Sequence, residues 1–245
     1  MNHRILKSII FDQHEIIKNF NINKREYNFD LNANYVLVGL RRAGKSTLLY
    51  KIVQDLIEQG IEWNQIIYIN FEDERLTDFT IQDFNDILLV QSELSNKKGY
   101  FFFDEIQNID GWEKFARRLA DSKEHIFITG SNAKMLSSEI EKTLGGRFLS
   151  KYISPYNFRE FLTAKQQDFS ESSILSTKSS GKIIRNFTEY FYFGGFPETV
   201  NFIEKREYVS SIYQKILLGD IATRNNIRNL TGLKILIKKI AETTK

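Results

Sequence analysis

Gly39-Leu40-Arg41-Arg42-Ala43-Gly44-Lys45-Ser46 matches G-x-x-x-x-G-K-[ST] without a gap. An apolar run, Tyr35 to Gly39, precedes it and reads as a strand. Thr47 to Gln59 follows with Leu48, Leu49, Ile52, Val53, Leu56 and Ile57 on one helical face, ended by Gly60. This is the strand–loop–helix context of a phosphate-binding P-loop. The glycines let the backbone wrap closely, so its N–H groups point at an anion, and the helix N-terminus adds partial positive charge. Gly39, Arg42, Ala43, Gly44, Lys45, Ser46 and Thr47 are the expected nucleotide-binding residues. Lys45 is expected to reach the β- and γ-phosphates, and Ser46 to offer its hydroxyl to Mg²⁺. Thr47 stands behind them, near the α-phosphate. Arg41 and Arg42 could touch phosphate or a partner, although solvated loop side chains are the simpler reading.

The same rhythm continues outward. Ile66–Phe71, Tyr100–Phe103, His125–Thr129 and Phe148–Ile153 read as apolar strands. Helical patterns start near Ile81 and Trp112, and a third covers Met135–Leu144. Such strands alternating with helices predict an α/β fold, a parallel sheet covered on both faces. The first thirty residues predict a short helix and a strand at Tyr27–Leu31. Ser154-Pro155 predicts a helix start, with the serine as cap. Gln166–Lys182 turns to Ser, Gln, Glu and Lys and reads as a polar linker. Beyond it lie helical patterns around the Gly194-Gly195-Phe196-Pro197 turn.

Composition removes several chemistries. The 245 residues carry 34 basic and 31 acidic side chains, a net charge of +3, which is too balanced to argue for nucleic acid by itself. There is no cysteine, so disulfides, thiolate metal sites and cysteine nucleophiles are absent. His3, His14 and His125 are too far apart for a metal motif. The N-terminus does not read as a signal peptide, and no apolar run approaches the ~20 residues of a membrane span. The expectation is a cytoplasmic protein with no membrane partner.

Phe101-Phe102-Phe103-Asp104-Glu105 delivers two acids at the carboxyl end of a buried strand, where open parallel sheets bind ligands. Asp104 is the expected metal residue beside Ser46, and Glu105 the group that polarises an attacking water. The strand at 126–129 ends in Gly130-Ser131-Asn132. Asn132, with Ser131 as the alternative, is expected to sense the γ-phosphate or to cap the next helix. Arg147, after Gly145-Gly146, can present its charge to the γ-phosphate of its own or a neighbouring subunit, or pair with an acid on the surface. Glu72, Asp73 and Glu74 read as a solvated acidic loop. Arg224, Arg228, Lys234, Lys238 and Lys239 form a basic stretch, without accompanying aromatic residues, that reads as a solvated face or a nucleic-acid contact.

At these residues the chain resembles the bacterial and archaeal AAA-type P-loop ATPases that carry a C-terminal domain of unknown function. The resemblance rests on the P-loop, Asn70-Phe71-Glu72-Asp73, Phe103-Asp104-Glu105-Ile106-Gln107, Thr129-Gly130-Ser131-Asn132, Gly146-Arg147, Pro155–Phe161 and Gly194-Gly195-Phe196-Pro197-Glu198. It implies an ATPase core at 1–165, sheet order 5-1-4-3-2 and an additional strand between the P-loop strand and the Walker B strand. ATP and Mg²⁺ are the implied ligands. A linker at 166–182 and a helical region at 183–245 follow, with Leu233–Thr243 as the start of a winged helix in a C-terminally short form. Adenine is preferred, since the guanine-reading Asn-Lys-x-Asp is missing from the sequence, and the segment before the P-loop is expected to contact the base. The expected function is ATP hydrolysis driving a conformational switch. The alternative is a nucleotide-gated binding module with negligible turnover alone, associated with nucleic acid. A homo-oligomer and an unidentified protein partner complete the expectations.

Overall fold

The structure is a computed structural model and describes residues 1–130, 143–223 and 225–243. Five strands form one sheet, in the order β2-β3-β4-β1-β5, with every neighbouring pair parallel. They are β1 (Asn34–Val38), β2 (Ile66–Asn70), β3 (Tyr100–Asp104), β4 (His125–Gly130) and β5 (Phe148–Tyr152). The order is the expected one, and β4 separates β1 from β3. The acids at the end of β3 therefore face the P-loop across the width of one strand.

Strands β1 to β4 alternate between two cores, while β5 at the sheet edge buries only Phe148. Val36, Val38, Ile67, Ile69, Phe101, Phe103, Ile126 and Ile128 point into one. Tyr35, Leu37, Ile66, Tyr68, Phe102 and Phe127 point into the other. The first core is roofed by α3 (Phe84–Leu94) and α4 (Trp112–Asp121), the second by α2 (Lys45–Glu58). Because both faces are buried, the strands read as continuous apolar runs. Aromatic rings lock the second face across four strands: Tyr35 on Phe127 at 6.1 Å, Phe127 on Phe102 at 4.9 Å and Phe102 on Tyr68 at 6.0 Å.

Helix α1 (His3–Asn19) covers the β2 edge and contributes Leu6, Ile9 and Ile10 to one core and Ile17 to the other. His14 Nε2 lies 2.8 Å from the Ile66 carbonyl and donates to it, satisfying a buried acceptor on the edge strand. Burial pushes the His14 imidazole below its usual range, only partly opposed by that hydrogen bond. The neutral ring is thus the folded form. The stability it supports is present above the unfolded pKa and is lost as pH falls below it. As pH falls below the unfolded imidazole's ordinary range, the chain is expected to lose stability through this one proton. His14→Gln, which keeps an N–H donor and does not titrate, is expected to flatten the pH dependence of the urea midpoint. An unchanged slope would remove His14 from this role.

The C-terminal part is helical: α5 (Phe158–Ala164), α6 (Glu171–Leu175), α7 (Thr177–Phe193), α8 (Lys205–Gln214), a π-helical stretch Lys215–Thr223 and α9 (Leu230–Thr243). Three local expectations need correction. Tyr27–Leu31 is not a strand. Tyr27, Phe29 and Leu31 do pack on the second core, so their alternation is real. Their backbone is held by side chains instead of a ladder: Lys151 donates to the Asn28 carbonyl, and the Asp30 N–H donates to Tyr35 Oη at 2.9 Å. Ser154 is not a helix cap either. Asn157 caps α5, in a reciprocal box with Glu160. The Ser154 carbonyl is taken by Arg25 at 2.7 Å, which keeps the chain extended through Pro155. The stretch 166–182 expected as a linker contains α6 and the first turns of α7. Helix α7 buries no side chain completely, so its polar composition reflects a solvated helix, tied down by Glu189 to Lys165 at 2.9 Å and to Lys205 at 3.4 Å.

Candidate active site at the P-loop

The chain leaves β1 at Gly39 with φ 154°, where a Cβ would stand 2.1 Å from the Ile153 carbonyl oxygen. Only glycine fits, and the loop can turn over the carboxyl end of β5. Helix α2 then begins at Lys45. The Lys45 ammonium is buried, 3.2 Å from the Gly39 carbonyl and 3.0 Å from that of Leu40. It lies 3.8 Å from a Glu105 carboxylate oxygen. Burial pushes the lysine pKa down, and the charges of Glu105 and Asp104 pull it back up. The loop is thus filled by its own lysine, bent back onto the carbonyls that an anion would release it from.

Asp104 ends β3 and is 2% exposed. Burial raises its pKa, while hydrogen bonds from Thr129 and Ser46 hold it down. Tyr68 Oη also donates to it, at 2.9 Å. Thr129 is the organising residue: its hydroxyl donates to Asp104 and accepts the Glu105 N–H at 3.0 Å. Glu105 adopts a left-handed backbone, φ 52°, a conformation rare outside glycine and asparagine that is concentrated at functional sites. The bend brings its carboxylate back toward Lys45. Ser46 and Asp104 line the same cavity, which places two hard oxygen donors on one site. Among the described residues no group of three or more His, Asp or Glu could hold a metal. A hydroxyl, one carboxylate and substrate phosphates are nonetheless a donor set that suits Mg²⁺, which keeps several waters.

These side chains open on one cavity of about 490 Å³. Arg42, Gly44, Lys45, Ser46, Thr47, Asp104 and Glu105 line it, joined by Asn70 and Glu72. The far wall comes from elsewhere: Phe20, Asn21 and Asn23 before the P-loop, Tyr156, and Pro197, Glu198, Asn201 and Lys215 from the helical region. Gly195 makes this wall possible. A Cβ there would lie 2.0 Å from the Tyr156 carbonyl oxygen, and the Gly195 carbonyl accepts the Tyr156 N–H at 2.7 Å. Arg42, on a left-handed backbone, reaches across to Glu198 at 3.1 Å and stacks 5.2 Å from the Tyr208 ring. Arg41 pairs with Glu72 at 3.1 Å, so that loop acid is engaged.

Ser131 and Asn132 lie outside the described residues. Arg147 immediately precedes β5, whose first residue pairs with Asn34 at the start of β1. It therefore sits at the opposite end of the sheet from the P-loop, separated by the five residues of β5, roughly 16 Å at ordinary strand rise. There it is paired with Asp121. That position does not serve the P-loop of its own chain.

Sequence reasoning missed Arg25 and Thr129 as site-building residues. Arg25 comes from a segment without regular structure, and its buried partner Glu160 lies 135 positions away, so no local periodicity links them. Thr129 was legible as the last residue of an apolar strand and the first of the Thr129-Gly130-Ser131-Asn132 motif, with no role of its own at the site.

Residues 32–162 match the AAA domain family. The chain belongs to that family. Among similar proteins, this AAA domain chain is 37% identical over 238 residues to the uncharacterized protein MJ1544 of Methanocaldococcus jannaschii, covering 95% of this chain and 52% of that one. It is 38% identical over 211 residues to an uncharacterized Haemophilus influenzae protein, covering 84% and 50%. The chain thus spans about half the length of these relatives. Among solved structures, the Saccharomyces cerevisiae Hsp104–ADP complex aligns with TM-score 0.46 at 12% identity, over 97% of this chain and 38% of that one. Hsp104 with ATPyS and FITC casein aligns with TM-score 0.47 at 12% identity, over 85% and 38%. No helix among the described residues is long and apolar enough to cross a membrane.

Proposed function

We propose that this AAA domain binds MgATP in the P-loop cavity and hydrolyses it to ADP and phosphate to drive a conformational switch. The observation that carries the reading is the convergence of Lys45, Ser46, Asp104 and Glu105 on one cavity behind a P-loop. Lys45 exchanges the Gly39 and Leu40 carbonyls for phosphate oxygens. Ser46 and Asp104 hold Mg²⁺, which supplies charge neutralisation on those oxygens. Glu105, freed from Lys45, accepts a proton from water as the water oxygen bonds to the γ-phosphorus and the bond to the bridging oxygen breaks. Phe20, Asn21, Asn23 and Tyr156 supply a wall for adenine, and the cytoplasm, where ATP is at hand, is the proposed compartment.

The switch runs through Arg42. Its pair with Glu198 is half-exposed and therefore weak. Phosphate entering the loop competes for the guanidinium, which releases Glu198 and Tyr208 and so loosens α8 from the ATPase core. Bound ATP is accordingly expected to raise amide hydrogen exchange over residues 198–214 by several-fold. Glu198→Gln is expected to show part of that rise without nucleotide. Exchange in α8 that ignores both ATP and the substitution would sink this route.

A second reading keeps nucleotide binding and makes turnover negligible in the monomer. The position of Arg147 favours it, because the charge needed at the γ-phosphate then comes from a neighbouring chain in a homo-oligomer. Specific activity is expected to rise with protein concentration, and Arg147→Ala to slow hydrolysis about a thousandfold with ATP still bound. Mixing Arg147→Ala with Glu105→Gln is expected to restore activity, since a mixed interface pairs an intact Glu105 with an intact Arg147. No recovery in verified hetero-oligomers would contradict the shared site. Asn132 or Ser131 as sensor, an unidentified protein partner and a nucleic-acid contact through Arg228, Lys234, Lys238 and Lys239 belong to this proposal as its outer elements. Phosphate release by the purified chain, measured across a range of concentrations, tests the reading directly.

A further inference from the structure

We propose that Arg25 is a positioning residue of the phosphate cradle: clamped by Glu160, it holds the Ala43 carbonyl and thereby aims the Gly44 N–H into the cavity. The inference rests on the nucleotide reading above and adds a residue outside the P-loop to it. Arg25 is 5% exposed and Glu160 4%. Their contact is bidentate, Nε to Oε1 and Nη2 to Oε2, each 3.1 Å. The remaining arms reach backbone: Nη2 donates to the Ser154 carbonyl at 2.7 Å, and Nη1 donates to the Ala43 carbonyl at 2.8 Å. The guanidinium lies 4.9 Å from the Tyr27 ring and 5.0 Å from that of Tyr156. Glu160 is fixed in turn by the N–H groups of Glu26 and Asn157, both at 3.0 Å. The arginine can neither rotate nor withdraw.

The consequence follows from peptide geometry. The Ala43–Gly44 bond is trans, so its C=O and N–H lie in one plane and point in opposite directions. Ala43 is fully buried, whereas Gly44 lines the nucleotide cavity. A strong donor on the buried carbonyl therefore turns the N–H of the same peptide toward the cavity, directly before the first residue of α2. Without that donor the carbonyl is an unsatisfied buried acceptor, and the peptide is free to rotate toward the cavity and present oxygen to phosphate. A buried ion pair adds little net stability compared with apolar replacements. Its use here is orientation.

Removing Arg25 alone leaves Glu160 charged and buried, and the chain could unfold for that reason. The informative variant is R25M/E160Q, which removes both charges and keeps one carboxamide oxygen as acceptor for one of the two backbone amides, Glu26 or Asn157, that Glu160 holds. In the full chain it is expected to unfold within a few degrees of wild type. Calorimetric titration is expected to show inorganic pyrophosphate and ATP both binding about tenfold to a hundredfold more weakly, as loss of a hydrogen bond to a charged group implies. With ¹⁵N-glycine labelling, pyrophosphate should shift the Gly44 amide resonance in wild type and leave it in place in the variant, while Gly111 stays unchanged in both. A folded variant that binds pyrophosphate within twofold of wild type, or whose Gly44 amide still shifts, would overturn the proposal, leaving the pair as a tie between the N-terminal segment and α5. Should R25M/E160Q not fold, R25K decides. Lysine keeps the charge, but one ammonium with three donors cannot span both Glu160 oxygens and the Ser154 and Ala43 carbonyls as the guanidinium does, and wild-type affinity in R25K would overturn the proposal. Wild-type protein that binds neither pyrophosphate nor ATP would fail the nucleotide reading itself, a result distinct from failure of the Arg25 role.

Discussion

Glu105→Gln is expected to slow phosphate release from MgATP by about a hundredfold to ten-thousandfold, the range a positioned general base contributes, while ATP still binds. The side chain sits where little else changes on substitution. Its backbone is pinned by Thr129 through the amide N–H. Its carboxylate accepts from Gln107, a hydrogen bond that the amide oxygen of glutamine also accepts. The change thus removes a proton acceptor and a negative charge and preserves shape. Loss of the charge 3.8 Å from Lys45 frees the ammonium for phosphate, so ATP affinity is expected to stay or rise. Single-turnover phosphate release gives the answer. Equal rates in variant and wild type would take the base role from Glu105.

Lys45→Ala is expected to weaken ATP binding by about tenfold to a hundredfold and to abolish measurable turnover, as removal of a charge-assisted contact to phosphate implies. The apo protein is expected to tolerate the change. Lys45 is 4% exposed, with burial working against its charge. Its deletion removes a desolvated cation along with its hydrogen bonds to Gly39 and Leu40. The thermal midpoint without nucleotide should therefore move little. Wild type should gain about 2.7 kcal/mol of stability at an ATP concentration a hundred times its Kd, and about half of that gain or more should vanish in the variant. An ATP-dependent midpoint shift as large in the variant as in wild type would show that the nucleotide binds elsewhere.

The sheet and the near half of the site are legible in the sequence because their causes are local. Phe101, Phe102 and Phe103 divide between two cores, so a strand buried on both faces shows as an unbroken apolar run. The P-loop is contiguous, and its glycines answer steric demands visible at one position, such as the close approach of Gly39 to Ile153. The far half is assembled from distant segments. Tyr27, Phe29 and Leu31 alternate like a strand because one side packs on the core, but alternation reports burial and is silent on whether a partner strand exists. The polar run 166–182 likewise looks like a linker, since a helix solvated on most sides needs few apolar residues. Arg25 carries no local sign of its importance, because its burial depends on Glu160 arriving from α5 and on two tyrosines from different segments. For Arg147, the residues before β5 were legible, and only the strand register assigns them to the end of the sheet away from the P-loop.

The central claim is that this cavity binds MgATP. It is tested most directly by titrating the full wild-type chain with ATP and with GTP, each with and without Mg²⁺, by calorimetry. Saturable ATP binding that tightens with Mg²⁺ and exceeds GTP binding is the predicted result. No saturable ATP binding in either condition would contradict the account.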